Sequence, residues 1–399
     1  MKGSLVKGIC LPDSRQELLI KAALLHGGDA LAAWRKWKDS TDLDHVDGGS
    51  YRLLPLLYRN LVAEGVKHPL MGKLKGIYRR SWYENQMLFH HAADIVQSLK
   101  EAGVRVMLLK GVATVLAYYR NEYGIRPMDD CDILVPREQV ETAFARLRET
   151  GWTPKTLSPS LLTPEIIPYK HAAHFRGPAG RQLDLHWHLF YECLQPDADD
   201  DFWRNAVSLD FKGLDVLVLN PADQLLHVCM HGMRWNTVPS IRWIADAMAI
   251  MGAVPAIDWD RIVSQAEKRR FVLPLRDSLG YLRSFLGAPV PDEVLERLRG
   301  MKPAKEDYLL YEDSMKIDMS KGPIRIIACK YRHFSRSFGH DGRLRKVVHF
   351  LRYLQYEWEV QFWQMPYRAL FKIMNRLRKN FIWYRGCFLP FGSDKNQPS

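Results

Sequence analysis

Hydrophobic and polar residues alternate with two different periods along this chain. In the first hundred residues apolar side chains recur every three to four positions, which is the spacing of a helix with one buried face. This spacing predicts helices over 14–25, 50–65 and 70–102. The second helix is interrupted near Pro55, and the third ends at Gly103, since glycine commonly follows the last turn of a helix.

From residue 104 the apolar residues form short runs or alternate with polar ones, which is typical of strands. Strands are predicted at 104–109, 131–135, 171–176 and 181–190, with helices over 112–119 and 136–150. Beyond about Pro196 the helical spacing returns. The sequence therefore predicts an α+β protein with a small mixed sheet flanked by helices, within a mostly helical chain.

Length and composition indicate a folded protein of several packed units. The chain has 399 residues, of which 47% are hydrophobic and 26% charged, the balance of a soluble globular protein with two or three units. We expect a cytoplasmic location, because the sequence shows neither a secretory type of N-terminus nor an apolar run long enough to cross a membrane. The 6 cysteines lack a paired spacing, which argues against a zinc ribbon or a disulfide framework.

Positive charge is concentrated near the C-terminus. The formal net charge is +12, and nearly all of it falls between Lys330 and Ser399. Because the rest is almost neutral, the charge argues against general nucleic-acid binding and indicates one basic surface. Residues 366–385 combine a basic and an apolar stripe, which suits a helix lying on an anionic membrane at its inner face. The alternative is a terminal helix whose apolar stripe packs on its own domain.

Two aspartates, Asp130 and Asp132, lie at the start of a predicted strand. Their side chains should project to the same face, because side chains alternate along a strand. Neighbouring carboxylates repel each other unless a cation lies between them, and carboxylates with substrate phosphates are preferred ligands of Mg²⁺. The pair therefore indicates a metal site, although turn and capping roles explain the same residues.

The predicted strand 181–190 has one apolar and one polar face. The polar positions are Gln182, Asp184, His186 and His188. A third carboxylate, Asp184, on a strand near the first two would complete a two-metal site. The alternative is a strand whose polar face is exposed to solvent.

Lys110 and Gly111 follow the first predicted strand and begin a helix. Glycine at this position lets a phosphate approach the backbone, and a helix N-terminus supplies N–H donors. The order of elements supports a phosphate-binding role for this pair. A strand, a glycine turn and a helix come first, and they are followed by a strand with two aspartates and a later strand with one.

Two histidines, His227 and His231, are four residues apart on a predicted helix, and Asp246 is on the next helix. Such a pair can bind zinc, but the intervening residues lack the glutamate of the metalloprotease motif. Hydrogen bonding between helices and contact with a substrate are the alternatives.

In this order of motifs the sequence resembles the DNA polymerase beta-like nucleotidyltransferase superfamily, and within it a bacterial group of uncharacterised nucleotidyltransferases. The similar segments are LLKGVA at 108–113, RPMDDCDILV at 126–135, GW at 151–152 and LDLHWHL at 183–189. Together with LLPLLYRNL upstream and residues 227–247 downstream, the resemblance covers about residues 50–250.

The resemblance implies a role for each of these motifs. Asp130 and Asp132 would bind two Mg²⁺ or Mn²⁺ ions, and Asp184 would be the third carboxylate, a ligand that also helps to deprotonate the nucleophile. Gly111 would border the triphosphate, with Lys110 and Arg126 as candidate phosphate contacts. Apart from the resemblance, His186, His188 and His231 are candidate substrate contacts. One departure is Val112, which follows Gly111 where the superfamily usually has serine or a second glycine.

The implied activity is metal-dependent transfer of a nucleoside monophosphate from an NTP to a hydroxyl or phosphate of an unidentified acceptor, which could be a small molecule, a glycan, a lipid-linked group or a peptide. The chain would divide into a helical region at 1–102, a nucleotidyltransferase core at 103–200, a helical acceptor-side region at 201–329 and a basic aromatic helical region at 330–399.

Three alternatives stay open at this point. The chain could be a catalytically inactive protein of the same fold that binds a nucleotide or a partner, which the Gly111-Val112 departure favours. It could be a metal hydrolase built on His186, His188 and a carboxylate. It could also modify RNA, but that function requires basic residues beside the three aspartates.

Overall fold

The computed structural model describes residues 10–155, 163–234, 240–315, 323–338 and 343–367. Five helices form the N-terminal part: α1 (Ser14–Leu24), α2 (Gly27–Ser40), α3 (Gly48–Tyr51), α4 (Leu54–Ala63) and α5 (Leu70–Glu101).

Local sequence signals account for the boundaries of these helices. Asp13 and Gln16 form a capping box at the start of α1, in which each side chain accepts a hydrogen bond from the backbone N–H of the other. Pro55 lies in the first turn of α4, so the predicted interruption is the break between α3 and α4. Gly103 has a φ of +73° after the end of α5, as predicted for a glycine that terminates a helix.

A seven-stranded mixed sheet occupies the middle of the described chain. Its strands are β1 (Met107–Leu108), β2 (Cys131–Leu134), β3 (Thr153–Pro154), β4 (Ala172–Arg176), β5 (Gln182–His186), β6 (Val207–Phe211) and β7 (Leu214–Val218). The strand order is β3-β4-β5-β2-β1-β7-β6. The β2–β5 and β1–β7 pairs are parallel, and the other pairs are antiparallel. This arrangement confirms the predicted α+β class.

The hairpin of β6 and β7 was not predicted. The expectation that only helices follow Pro196 is wrong there, and the sheet extends beyond the boundary at residue 200 that was predicted for the core. Lys212 and Gly213 connect the two strands with φ values of +55° and +81°. Positive φ at both residues of a two-residue turn matches the right-handed twist of a hairpin.

Helices join the strands and form the rest of the described chain. Those within the sheet region are α6 (Lys110–Tyr118), α7 (Val140–Glu149) and α8 (Asp200–Arg204). Those that follow it are α9 (Pro221–Gly232), α10 (Arg242–Ala253), α11 (Trp259–Lys268), α12 (Val272–Leu286), α13 (Asp292–Gly300), α14 (Lys305–Met315), α15 (Pro323–Phe338) and α16 (Arg343–Trp358).

Two hydrophobic cores lie on opposite faces of the sheet. One core joins the N-terminal helices to α9–α13 and includes Leu134 of β2. The other joins α5, α7, α15 and α16 and includes Ile133 of β2. Because side chains alternate along a strand, Asp132 shares the face of Leu134 and points toward α9 and α10.

None of the helices in the described ranges combines the length and the apolar composition that crossing a membrane requires. The predicted membrane-binding segment 366–385 lies outside the described residues, apart from its first two positions. Contact of that segment with a membrane therefore stays a prediction.

Candidate functional site

Charged side chains from four neighbouring segments form one row across the sheet. The parallel register of β2 and β5 places Asp132 opposite Asp184. The antiparallel register of β4 and β5 places His174 opposite Asp184 on its other side. Lys110 lies two residues after the end of β1, and the N–H of the intervening Leu109 donates to the Asp132 carbonyl at 3.0 Å. We call His174, Asp184, Asp132 and Lys110 the charged row.

Hydrogen bonds connect the row at both ends. The Lys110 ammonium donates to Oδ1 of Asp132 at 2.5 Å, and Nε2 of His186 donates to the same oxygen at 3.0 Å. At the other end, Nδ1 of His174 donates to Oδ1 of Asp184. Asp132 thus has Lys110 as a partner at one end of the row, and Asp184 has His174 as a partner at the other end.

The pKa values of Asp130 and Asp132 shift in opposite directions. Burial alone would raise the pKa of Asp132, but the Lys110 ammonium and the His186 hydrogen bond hold it well below its usual range. Burial, followed by the negative charges of Asp132 and Asp184, raises the pKa of Asp130 to about 6. A bound cation would relieve the repulsion between Asp130 and these two negative charges.

The two histidines of the site have opposite shifts. Burial, followed by the Lys110 ammonium, lowers the pKa of His186, which favours the neutral ring that a metal ion requires. The hydrogen bond to Asp184 raises the pKa of His174. His174 is therefore the histidine that favours a positive charge.

The residues present fit a divalent cation. Ligand atoms of Asp132, Asp184 and His186 all lie within 4.8 Å of one another. Asp130 is not part of this group. It lies two residues before Asp132, just ahead of β2, and is a fourth candidate ligand. Carboxylates suit Mg²⁺ and Mn²⁺, and the imidazole widens the choice of ion.

The start of α6 forms the end of a cavity of about 170 Å³. Lys110 has a φ of +44°, a left-handed conformation that is costly for a residue with a side chain. A Cβ at Gly111 would lie against the Met128 sulfur and 2.5 Å from Nη1 of Arg126. Leu109 occupies the N-cap position and has no polar atom with which to cap the helix. The backbone N–H groups of this turn are consequently suited to an anion.

The position of Val112 gives a structural reason for the departure from the usual glycine-serine or glycine-glycine pair. Its side chain is 1% exposed and packs in the hydrophobic core with Phe89 and Ile133. A side chain at this position contributes to the core, so contact with a phosphate would fall to Lys110, Gly111 and the backbone.

The opposite wall of this cavity comes from α9 and α10. It includes His227, His231, Arg242 and Asp246. Burial, followed by the Lys110 ammonium, keeps the pKa of His227 well below its usual range, so its ring is neutral. Both histidines that the sequence placed four residues apart therefore line the cavity.

His188 lies elsewhere. It is fully buried, its Nδ1 donates to Oδ2 of Asp199 at 2.8 Å, and it is not among the residues that line the cavity. His186 and His188 contact different acids, Asp132 and Asp199. The metal hydrolase alternative required these two histidines in one site, and the structure does not bring them together.

Arg126 has a structural partner as well as a position at the cavity. Its Nε and Nη2 donate to the two carboxylate oxygens of Asp246 at 2.9 and 2.8 Å, and Tyr119 donates to the same carboxylate at 3.0 Å. Nη1 of Arg126 is the atom that lies against Gly111. The ion pair thus holds a cation beside the glycine turn.

Two further side chains hold the backbone that leads to Asp130. Nδ2 of Asn85 donates to the Arg126 carbonyl at 2.8 Å, and Nη1 of Arg242 donates to the Pro127 carbonyl at 2.7 Å. Asn85 lies on α5 and is fully buried. Side chains from α5 and α10 therefore position the backbone that leads to Asp130 and Asp132.

His174 and Asn85 were not among the site residues predicted from the sequence. The alternation of Ala172, His174 and Arg176 with Ala173 and Phe175 was a usable signal for His174. It showed a polar side chain on one strand face, but the register that brings this residue to Asp184 is not a local property. Asn85 had no signal beyond being a polar residue in a long amphipathic helix.

Replacement of Gly111 by alanine should weaken binding of an NTP with Mg²⁺ by about tenfold or more, a cost of about 1.4 kcal/mol or greater. The added Cβ would displace Met128 and Nη1 of Arg126 from the turn. Calorimetry measures the binding. The matched control is Gly280→Ala on α12, where a Cβ meets no atom within 4 Å. Equal affinity of the Gly111→Ala variant and the wild type would rule out this turn as the phosphate site.

The profile of a family described as uncharacterised nucleotidyltransferase matches residues 50–287. Among solved structures, an antigenic nucleotidyltransferase-like protein from Paracoccidioides brasiliensis is similar with 15% identity and a TM-score of 0.35, over 53% of this chain and 96% of that one. The antibiotic-resistance factor ANT(2'')-Ia is similar with 11% identity and a TM-score of 0.31, over 51% of this chain and 98% of that one.

No match was found among curated proteins. The family match includes all four residues of the charged row and the glycine turn at the start of α6. Because it spans more than half of the sequence, the chain belongs to the family of uncharacterised nucleotidyltransferases.

Proposed function

We propose that the protein transfers a nucleoside monophosphate from an NTP to an acceptor at a site formed by Asp130, Asp132 and Asp184. The observation that carries the proposal is the register of β2 and β5, which sets Asp132 beside Asp184 in a row that ends at the glycine turn. Nucleotidyl transfer needs these elements together, since a triphosphate must be held next to clustered carboxylates.

Lys110, Gly111 and the first turn of α6 would bind the triphosphate. The backbone N–H groups and the helix dipole favour an anion at this end of the helix. The Lys110 ammonium is already at the carboxylates, 2.5 Å from Asp132, and Arg126 supplies a second cation beside Gly111. Two cations and a helix N-terminus form a set of groups complementary to a triphosphate.

Asp130, Asp132, Asp184 and His186 would hold Mg²⁺ or Mn²⁺, and we propose two ions by analogy with other clustered-carboxylate sites. When bound, such ions lower the pKa of the attacking hydroxyl and neutralise charge on the triphosphate. Asp184 would take the proton of the acceptor, because it lies on the side of the row away from Lys110. His174, which is hydrogen-bonded to Asp184, would keep that carboxylate in position.

A second candidate function is nucleotide binding without transfer. The observation that favours it is the burial of Val112 in the hydrophobic core, which leaves one fewer polar group at the triphosphate. The two candidates differ in whether pyrophosphate is released once an NTP is bound.

Calorimetry with ATP, GTP, CTP and UTP tests the proposal. In the presence of Mg²⁺ we expect the wild type to bind at least one NTP, and the Asp130→Asn, Asp132→Asn double variant to bind it at least about a hundredfold more weakly, which corresponds to roughly 2.7 kcal/mol. The control variant is Asp210→Asn, which changes an exposed aspartate on β6 and should bind as the wild type does.

Release of pyrophosphate from the bound NTP would then separate transfer from binding alone. Absence of NTP binding by the wild type would overturn both candidate functions. Binding that is unaffected by the double variant would move the nucleotide site away from the aspartates.

A further inference from the structure

We infer that the outward face of α16 binds the surface of an anionic membrane. The residues that carry the inference are Leu344, Val347 and Val348, near the start of the helix, which we call the outer stripe. They lie outside the charged row and its cavity, and beyond the residues that the family profile matches. The inference is therefore independent of the proposed nucleotidyl transfer.

Apolar side chains occupy two different faces of α16. Tyr353 and Tyr356 are buried and belong to the hydrophobic core that α16 shares with the sheet. Leu344, Val347 and Val348 are exposed, and the exposed fraction of Leu344 is 80%. Their spacing of three and four residues places them together on the side of the helix away from Tyr353. A surface helix usually has one apolar stripe, so packing on the sheet accounts for the first face but not for the outer stripe.

Exposed apolar side chains are concentrated in this part of the molecule. The described residues from 323 onward are about an eighth of the described chain, but they include half of its exposed large hydrophobic side chains. Single exposed apolar residues are normal on a protein surface, whereas such a concentration indicates an interaction site.

Aromatic residues just after α16 add to this surface. Phe362, Trp363 and Tyr367 are exposed, and the exposed fractions of Trp363 and Tyr367 are 68% and 71%. Tryptophan and tyrosine favour the boundary between water and lipid, because their rings combine an apolar body with a polar group. These side chains are therefore of the type that a membrane surface binds.

The charge of the last two helices is complementary to an anionic partner. The described stretches 323–338 and 343–367 contain 8 Lys/Arg residues and 2 Glu residues. Both glutamates already have cationic partners, since Glu357 pairs with Lys330 at 2.5 Å and Glu359 pairs with Lys170 at 2.8 Å. This part of the molecule consequently carries an excess of positive charge.

Two of these cations, Arg345 and Arg352, flank the outer stripe. They are seven residues apart, so they lie on the same side of α16, roughly a quarter turn from Leu344. Both are exposed, and neither forms an ion pair with another residue of the described chain. An apolar stripe with free cations beside it is typical of a helix that lies in the headgroup region of an anionic membrane.

The same charge disfavours the two partners that the chain itself could supply. A second copy placed on this face by two-fold symmetry would bring two sets of cations together. Residues 368–399 contain 7 Lys/Arg residues and 1 Asp, so that segment is cationic as well. Like charges across an interface are unfavourable, whereas anionic lipid headgroups attract basic side chains. The outer stripe therefore fits a lipid surface better than it fits either of these partners.

Flotation of the full chain with lipid vesicles tests the inference. One set of vesicles contains phosphatidylcholine alone, and the other also contains phosphatidylserine. We expect the wild type to float with the anionic vesicles only, and to bind them more weakly as salt is added, because salt screens the headgroup charge. Absence of binding to the anionic vesicles, or equal binding to both sets, would overturn the inference.

Point variants of the full chain locate the surface that binds. The stripe variant Leu344→Ser, Val348→Ser and the arginine variant Arg345→Gln, Arg352→Gln should each bind the anionic vesicles at least about tenfold more weakly than the wild type. The matched control is Val62→Ser on α4, which changes a valine about as exposed as Val348 and should bind as the wild type does.

Vesicle binding that both double variants retain in full would assign the membrane contact to another segment, such as 366–385, and overturn the inference. The arginine variant changes only exposed side chains, so it tests the face of α16 even if thermal unfolding shows that the stripe variant is less stable. A wild type that sediments as a dimer and a stripe variant that sediments as a monomer, with no vesicle binding by either, would assign the face to a second copy instead.

Binding of an NTP with Mg²⁺ should be the same in the wild type and in both double variants, because the outer stripe and its arginines do not line the donor cavity. A failed flotation experiment would thus leave the proposed function unaffected. Absence of NTP binding would in turn leave the membrane inference unaffected.

Discussion

Replacement of Asp184 by asparagine is expected to lower kcat for nucleotidyl transfer by about 10² to 10⁴-fold, the usual contribution of a positioned general base. Binding of the NTP should change by less than about fivefold, a free-energy difference of about 1 kcal/mol. The reason is the position of Asp184 in the row: it is one strand farther from Lys110 and the glycine turn than Asp132 is. Steady-state transfer to the best acceptor, together with calorimetry for the NTP, gives both numbers.

His174→Gln is the companion variant. It removes the imidazole that donates to Asp184 but leaves the carboxylate in place. We expect a smaller loss of kcat, about tenfold, since an orienting partner affects the rate less than the group it orients. If Asp184→Asn retained more than a tenth of the wild-type rate, or if His174→Gln were the more damaging change, Asp184 would not be the proton acceptor.

Replacement of Asp246 by alanine is expected to lower the free energy of unfolding by about 3–5 kcal/mol, the typical cost of leaving one partner of a buried ion pair uncompensated. The side chains of Arg126 and Asp246 are only 6% and 5% exposed. Removal of the carboxylate leaves the buried Arg126 guanidinium and the Tyr119 hydroxyl without the acceptor that they share. Urea unfolding measures the change.

The matched control for this variant is Asp260→Ala, which breaks the ion pair with Arg297 on the surface. The side chains of Asp260 and Arg297 are 94% and 46% exposed, so we expect the free energy of unfolding to fall by only about 0–1 kcal/mol. Equal destabilisation by the two variants would mean that the buried pair has no special role. The Asp246 variant should also bind the NTP more weakly, because Arg126 lies against the glycine turn.

Local sequence patterns account for much of the site. The two-residue alternation of 181–190 placed Asp184 and His186 on one strand face and Leu183 and Leu185 on the other, as the buried core and the charged row now show. The same reasoning put Asp130 and Asp132 on one side of the preceding strand. Alternation is a local consequence of backbone geometry, so it can be read without knowing the fold.

The contacts between site residues that could not be predicted depend on pairing between distant strands. Asp132 meets Asp184 only because β2 and β5 are parallel neighbours in that register, and a shift by one residue would move one carboxylate to the opposite face. His174 joins the row for the same kind of reason. The partners of Arg126 and His188, which are Asp246 and Asp199, come from packing between elements and leave no pattern in either segment.

The β6–β7 hairpin, by contrast, has local sequence signals. Apolar residues alternate on both sides of Lys212-Gly213, and a glycine in a two-residue turn is a hairpin signal. In the sheet, β7 pairs in parallel with β1 and so supports the strand that precedes Lys110.

The packing of α16 against the sheet region has a consequence for how members of this family diverge. The charged row lies within residues 50–287, whereas Tyr353, Tyr356 and Glu357 come from a segment beyond the stretch that the family shares. Mutations in that segment can therefore alter the cavity that these side chains line together with His171, while the charged row itself stays unchanged. An acceptor found for one member of the family should be assigned to another only after these helices have been compared.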